Sequence, residues 1–255
     1  MIREQQMRAL EAAQAGVFRN ELAAHVRQIA PVHCALMGDA AVRATVALGL
    51  QRADRQRFTL RGSTRFYVEA MFLLGSFFDT DCQYAALTGP LFGDDDEITR
   101  ADRLYESVMA YADAALGPDR RFERQALNRA MQTPFEKLAE RAARPAAVLV
   151  EAFRETYPEK LQTLGDTPIT ALIEKAHGYA LEQGPPWANG ALFVAEMMFL
   201  LGQGCFSDPQ YPWIMETLRE TGSELVLDRL YRQFAGFVRQ AADLETGLTH
   251  VSRRQ

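Results

Sequence analysis

An apolar stretch that occurs twice limits what this chain can fold into. Phe66-Tyr67-Val68-Glu69-Ala70-Met71-Phe72-Leu73-Leu74-Gly75 returns 127 residues later as Phe193-Val194-Ala195-Glu196-Met197-Met198-Phe199-Leu200-Leu201-Gly202. At that offset, with no gap, residues 22–84 match residues 149–211 at 18 of 63 positions, where chance gives roughly 4. The matches include Pro31/Pro158, Gly38-Asp39/Gly165-Asp166 and Asp81-x-Gln83-Tyr84/Asp208-x-Gln210-Tyr211. At an offset of 126 identity resumes, Asp102-Arg103-Leu104-Tyr105 against Asp228-Arg229-Leu230-Tyr231. The change of register falls in a loop, where length is cheap. This is the pattern of an internal duplication. It predicts two similar lobes, residues 1–117 and residues 118–255, the second with a connector helix and a short flexible tail beyond Leu244.

The periodicity is helical throughout. From Ile2 to about Gln28, apolar residues recur at helical spacing among Ala, Gln, Glu and Arg, and Pro31 stops the run. Asp39 is positioned to cap a helix carrying Val42, Val46 and Leu50, whose counterpart opens at Thr167-Pro168. The repeated apolar segments start near Ser63 and Asn189 and end at Gly75 and Gly202. Being apolar nearly all round, they belong at the centre, covered by amphipathic neighbours. Thr99-x-x-Asp102 resembles a capping box, following the acidic run Asp94–Glu97, which reads as a solvated loop. No segment sustains the alternation of a strand, so the fold class is all-α.

Composition narrows the partners. With 28 basic against 33 acidic residues the chain carries a net charge of −5, and it has no basic stripe with interleaved aromatics, so nucleic acid is not an expected partner. The apolar runs are short and each carries a Glu, so no membrane span is expected. Cys34, Cys82 and Cys205 are odd in number and lack CxxC spacing, which favours a reduced, cytoplasmic setting over a disulfide framework or zinc site.

Glu69 and Glu196 are the sharpest candidate residues, being carboxylates within the most apolar segments. A buried carboxylate must be paired or have its pKa raised. The simplest pairing is Glu69 with Arg103 and Glu196 with Arg229, since both arginines recur in register; Arg27/Arg154 are the rivals, and an enzyme using a buried Glu is the alternative. Asp81, Gln83 and Tyr84, with Asp208, Gln210, Tyr211 and Trp213, form a repeated turn in which the aspartates act as caps and Pro212-Trp213 lies over the core. Glu174-x-x-His177 has the spacing of half a di-iron site but no second half, and Asp79-x-Asp81 is not matched by Phe206-x-Asp208. No catalytic residue, cofactor or metal is therefore assigned.

The order Met37-Gly38-Asp39, apolar helix ending Met198-Phe199-Leu200-Leu201-Gly202, Asp208-Pro209-Gln210-Tyr211-Pro212-Trp213, then Asp228-Arg229-Leu230-Tyr231 resembles a family of uncharacterised bacterial helical proteins encoded near type VI secretion spike, PAAR and toxin-effector genes. The first copy departs from it where Cys82 and Ala85-Ala86 stand for Pro and Pro-Trp. The resemblance implies an accessory role: a chaperone, co-chaperone or adaptor that holds a toxin effector or spike component for delivery. The alternative it leaves is an immunity protein, with the acidic loop covering a toxin's basic site.

Overall fold

The structure, a computed structural model of the chain, describes residues 2–252 apart from 136, 138–143, 145 and 221–224. Among the described residues all regular structure is helical, and no helix is long and apolar enough to cross a membrane. Helix α1 (Ile2–Ile29) ends just before Pro31, which opens α2 (Pro31–Met37) at the position where a missing N–H costs nothing. Gly38, at φ 79°, turns the chain into α3 (Asp39–Arg55). Then follow α4 (Arg61–Leu74), the short α5 (Ala85–Thr88), α6 (Glu97–Tyr111) and α7 (Arg121–Ala130).

The second copy repeats the plan with α8 (Ala146–Thr156), α9 (Pro158–Leu164), α10 (Asp166–Gln183), α11 (Pro185–Asn189), α12 (Ala191–Leu201), α13 (Pro212–Glu220) and α14 (Val226–Ser252). Three local expectations change. Residues 31–37 form a helix of their own; α3 and α10 start at Asp39 and Asp166, each behind a glycine in the cap position, rather than at an Asp39 or Thr167 cap; and past Leu244 the chain is still helical to Ser252. The connector helix, expected from about Asp119 to Met131, is α7, and the further helix expected to open at Thr133-Pro134 lies largely outside the described residues.

Helix α12 is central as its composition demands. Among its side chains only Glu196 and Leu200 reach past full burial. Helix α4 is less enclosed, because Arg65, Phe66 and Glu69 look outward on one face. The halves also exchange neighbours: α2 packs on α14, and α9 packs on residues 112–116, which continue α6 as a wider helical turn.

The closest contact between the copies is where α4 and α12 end. Gly75 and Gly202 stand at φ 97° and 94°, and a Cβ on Gly75 would lie 2.8 Å from the Leu201 carbonyl oxygen, while one on Gly202 would lie 3.1 Å from that of Leu74. Only glycine suits both the backbone angle and this approach. Beyond each glycine the chain exposes polar groups inside the protein, and the repeated turn of the other copy meets them. Asp208 accepts from the Ser76 N–H at 2.8 Å and the Ser76 hydroxyl at 2.6 Å; Asp81 accepts from the Gln203 N–H at 2.7 Å. The Gln83 amide donates to the Met198 carbonyl at 3.1 Å and the Gln210 amide to the Met71 carbonyl at 2.8 Å. Met71 and Met198, like Ser76 and Gln203, are 127 residues apart, so each turn caps the opposite copy's helix in the same way.

All four of these Asp and Gln side chains are buried. An Ala at Asp81 or Asp208 strands several donors where water cannot reach them, and each substitution is expected to lower unfolding stability by about 2–4 kcal/mol. Asp→Asn, which keeps one acceptor oxygen, should cost less at either site. Denaturant titration checks this, and equal stability of wild type and Asp208→Ala would refute the cap.

Candidate functional site

The arginines expected to neutralise the two glutamates do not do so. Helix α6 buries Leu104, Val108 and Tyr111, which leaves Arg103 on the solvent face, where it pairs with Asp95. Arg229 likewise pairs with Glu220 at 2.8 Å. The rivals Arg27 and Arg154 hold Asp39 and Asp166. Glu69 instead meets His25 of α1 at 2.6 Å, with Arg65 one turn away at 3.7 Å, and its side chain is 30% exposed. Glu196 accepts from the Tyr157 hydroxyl at 2.7 Å. Burial pushes Glu196 up to about 7, against the Tyr157 hydrogen bond that pulls it down.

The buried ion pair of the first copy is Arg52 with Asp79. The Arg52 Nε donates to Asp79 Oδ1 at 3.1 Å, the Gln56 amide donates to Oδ2 at 3.1 Å, and the guanidinium lies 4.8 Å from the Phe77 ring centre. The residues 127 positions on are Tyr179 and Phe206, which stack at 4.9 Å. One copy fills this contact with charge and the other with rings, a trade that packed interiors tolerate.

A second pair of matched positions follows the prolines. His33 packs against Tyr211 and Phe72 and hydrogen-bonds the Gln210 side chain at 3.0 Å. Lys160 sits against Tyr84 and Phe199, its ammonium donating to the Phe199 carbonyl and lying 4.0 Å from the Phe199 ring centre. Burial pushes His33 down to about 4 and Lys160 down to about 7, with Asp81 and Glu123 holding Lys160 up. Tyr84 and Tyr211, like Gln83 and Gln210, thus serve the crossing between copies. Trp213 rests on Phe237 at 5.9 Å beside the second-copy core, close to its expected place over it.

Of the run Asp94–Glu97, Asp94, Asp95 and Asp96 form an exposed loop as expected, and Glu97 opens α6. Asp95 holds Arg103, Asp96 caps α6 through the Ile98 and Thr99 N–H groups at 3.0 Å, and Glu97 accepts from the Thr59 and Leu60 N–H groups at 2.7 and 2.8 Å. Glu97 thereby fixes the start of α4, while Asp94, Asp95 and Asp96 stay on the surface. Burial raises all three thiols, and no cluster of metal-ligating side chains occurs among the described residues.

A groove of about 460 Å³ opens between α4 and α6, joined through Gly62 and Arg65 to a smaller recess of about 170 Å³ against α1. Leu60, Phe66, Ile98 and Tyr105 give the groove its apolar lining; Arg65, Glu69 and Asp102 give it charge of both signs. Ile98 is 59% and Tyr105 51% exposed, although both lie on a helix whose other face is core. His25 and Glu69 lie where recess and groove meet. The nearby Ser63 hydroxyl is committed to Glu97 and the Leu60 carbonyl. The arrangement offers apolar surface flanked by charges of both signs.

The buried titratable groups give a pH test. Lys160 is depressed from its ordinary 10.5 to about 7, so its stabilising share is complete above the unfolded value and is lost as pH falls toward 7. Glu196, raised to about 7, acts oppositely: its share is complete below the ordinary glutamate range and is lost as pH rises through 7. Lys160→Met should therefore gain on wild type as pH falls from 10 to 7, by up to about 1.4 kcal/mol per pH unit. Glu196→Gln should gain on wild type as pH rises from 4.5 to 7. Stability differences that do not vary with pH would show both groups to be solvated.

Comparison with protein-family models, with curated proteins and with solved structures finds no match to this chain.

Proposed function

We propose that this protein works by binding another protein, and that the groove between α4 and α6 is where it does so. The observation that carries the reading is the face of α6 and α4 on which Ile98, Tyr105, Leu60 and Phe66 stand uncovered around one groove. Apolar side chains gathered on one face in this way mark interaction sites more often than scattered ones do. The charges at its edge, Arg65 and Asp102, would fix the register of a partner more than its affinity.

The resemblance of the repeated motifs makes the partner a toxin effector or a spike component, held by this chain as a chaperone or adaptor for type VI delivery. The His25–Glu69 pair belongs to this reading as a hydrogen-bonding wall of the site.

The test is co-purification of the tagged full-length protein from its native host, with mass-spectrometric identification, alongside Ile98→Asp and Tyr105→Ala variants. The expected result is a stoichiometric toxin or spike protein on the wild type and at least a tenfold loss on both variants. Partner-free protein from cells expressing the neighbouring effector would refute the binding role. A partner retained by both variants would leave the role standing and place the contact elsewhere.

A further inference from the structure

The second copy shows what such a groove takes. The residues matching Phe66 and Tyr105 are Phe193 and Tyr231, at offsets of 127 and 126. Both pairs make the same edge-to-face contact, at 5.1 Å in the first copy and 5.5 Å in the second. Phe193 is fully buried, and Phe66 is not. The difference is Phe135, whose ring lies 5.8 Å from that of Phe193 and 5.5 Å from that of Tyr231. The Tyr231 hydroxyl completes the seat by donating to the Thr133 carbonyl at 2.8 Å.

This cover exists because Pro134 interrupts the chain after α7 and turns Phe135 back onto the aromatic pair. Before the first copy the same register falls at Gln6, Met7 and Arg8, within the uninterrupted helix α1. There is no proline to turn the chain and no aromatic to insert. The Tyr105 hydroxyl has no hydrogen bond among the described residues, and the Phe66–Tyr105 pair is left to the groove.

The two seats also differ in charge. Arg61 and Arg65 stand where the second copy has Ala188 and Leu192, whereas Asp102 and Asp228 agree. Arg61 is turned toward α1, where it pairs with Glu21, whereas Arg65 lines the groove, is 57% exposed and reaches Glu69 at only 3.7 Å. Charge on this wall favours an acidic residue beside the incoming aromatic.

Resting on the binding role above, we infer the chemistry of the partner: the groove receives an aromatic side chain from a protein segment that turns as Thr133-Pro134-Phe135 does. The segment offers a free backbone carbonyl to the Tyr105 hydroxyl and carries an acidic residue toward Arg65. The chain's own covering segment has this composition, with Glu136 and Lys137 following Phe135.

The probe is therefore a fluorescent synthetic peptide with the sequence of residues 130–139, titrated with full-length protein by polarisation. Saturable binding is expected, weakened tenfold or more by Phe→Ala in the peptide or by Tyr105→Ala in the protein, and several-fold by Tyr105→Phe, which removes only the hydroxyl. Arg65→Ala should weaken it and flatten its salt dependence, while Arg65→Glu should weaken it further. Circular dichroism and melting of the exposed-site variants verify that they fold. Absence of saturation at millimolar protein overturns the inference, as does binding indifferent to Tyr105→Ala, which would place the peptide on the second copy's own seat. Concentration-dependent dimerisation lost in Tyr105→Ala would make a second copy of the chain the occupant and overturn it equally. A native partner captured through Ile98 and Tyr105 despite a silent peptide would leave the binding role intact while removing this chemistry.

Discussion

The structure depends on how two helix ends are satisfied away from water. Helices α4 and α12 run into the middle of the protein and stop there, against each other, at Gly75 and Gly202. A helix end exposes N–H and carbonyl groups that solvent ordinarily meets, and leaving them unmet in the interior costs more than most single contacts return. Here Asp81 and Asp208 meet them across the copies, with Gln83 and Gln210 reaching one turn further back. Neither half can satisfy its own central helix. The crossing therefore links the halves through buried polar groups, and hydrophobic burial surrounds it. Burial pushes both aspartates above the ordinary value, against the hydrogen bonds that lower it.

Once that crossing is fixed, the copies are free to differ wherever an exchange is complete. Arg52 and Asp79 become Tyr179 and Phe206 together; a change at either position alone would bury a lone charge. His33 and Lys160 occupy one kind of socket, a base against a Tyr and a Phe, with different depressed proton affinities. The aromatic pair on α4 and α6 is covered in one half and open in the other, because only one half has a proline placed to fold a phenylalanine over it. Divergence of this sort leaves a scaffold with one groove to spare.

The all-α fold was legible because helical spacing, prolines at helix starts and glycines at helix ends agree in both copies. The special role of Asp81, Gln83, Asp208 and Gln210 was legible as a repeated turn, but its crossed direction was not: sequence registers that a turn caps a helix, not whose. The Glu–Arg pairing failed for a related reason. Arg103 and Arg229 recur in register, yet they sit beside the buried Leu104 and Leu230, and a helix that buries leucine turns its neighbour outward. His25 carried no local signal, since its partner Glu69 lies 44 residues away on another helix. The Arg52–Asp79 exchange for Tyr179–Phe206 did carry one, because both positions change character together between the copies.

Amide hydrogen exchange at Ser76 and Gln203 tests the crossing most directly. Both follow a helix-ending glycine in an irregular segment, where amides ordinarily exchange through small local openings. If the opposite copy's aspartate holds each one, both N–H groups should exchange only with global unfolding, at the same free energy as the core of α12. Exchange of either amide through openings far below the global unfolding free energy would contradict the account, and would mean that each half supports its own central helix.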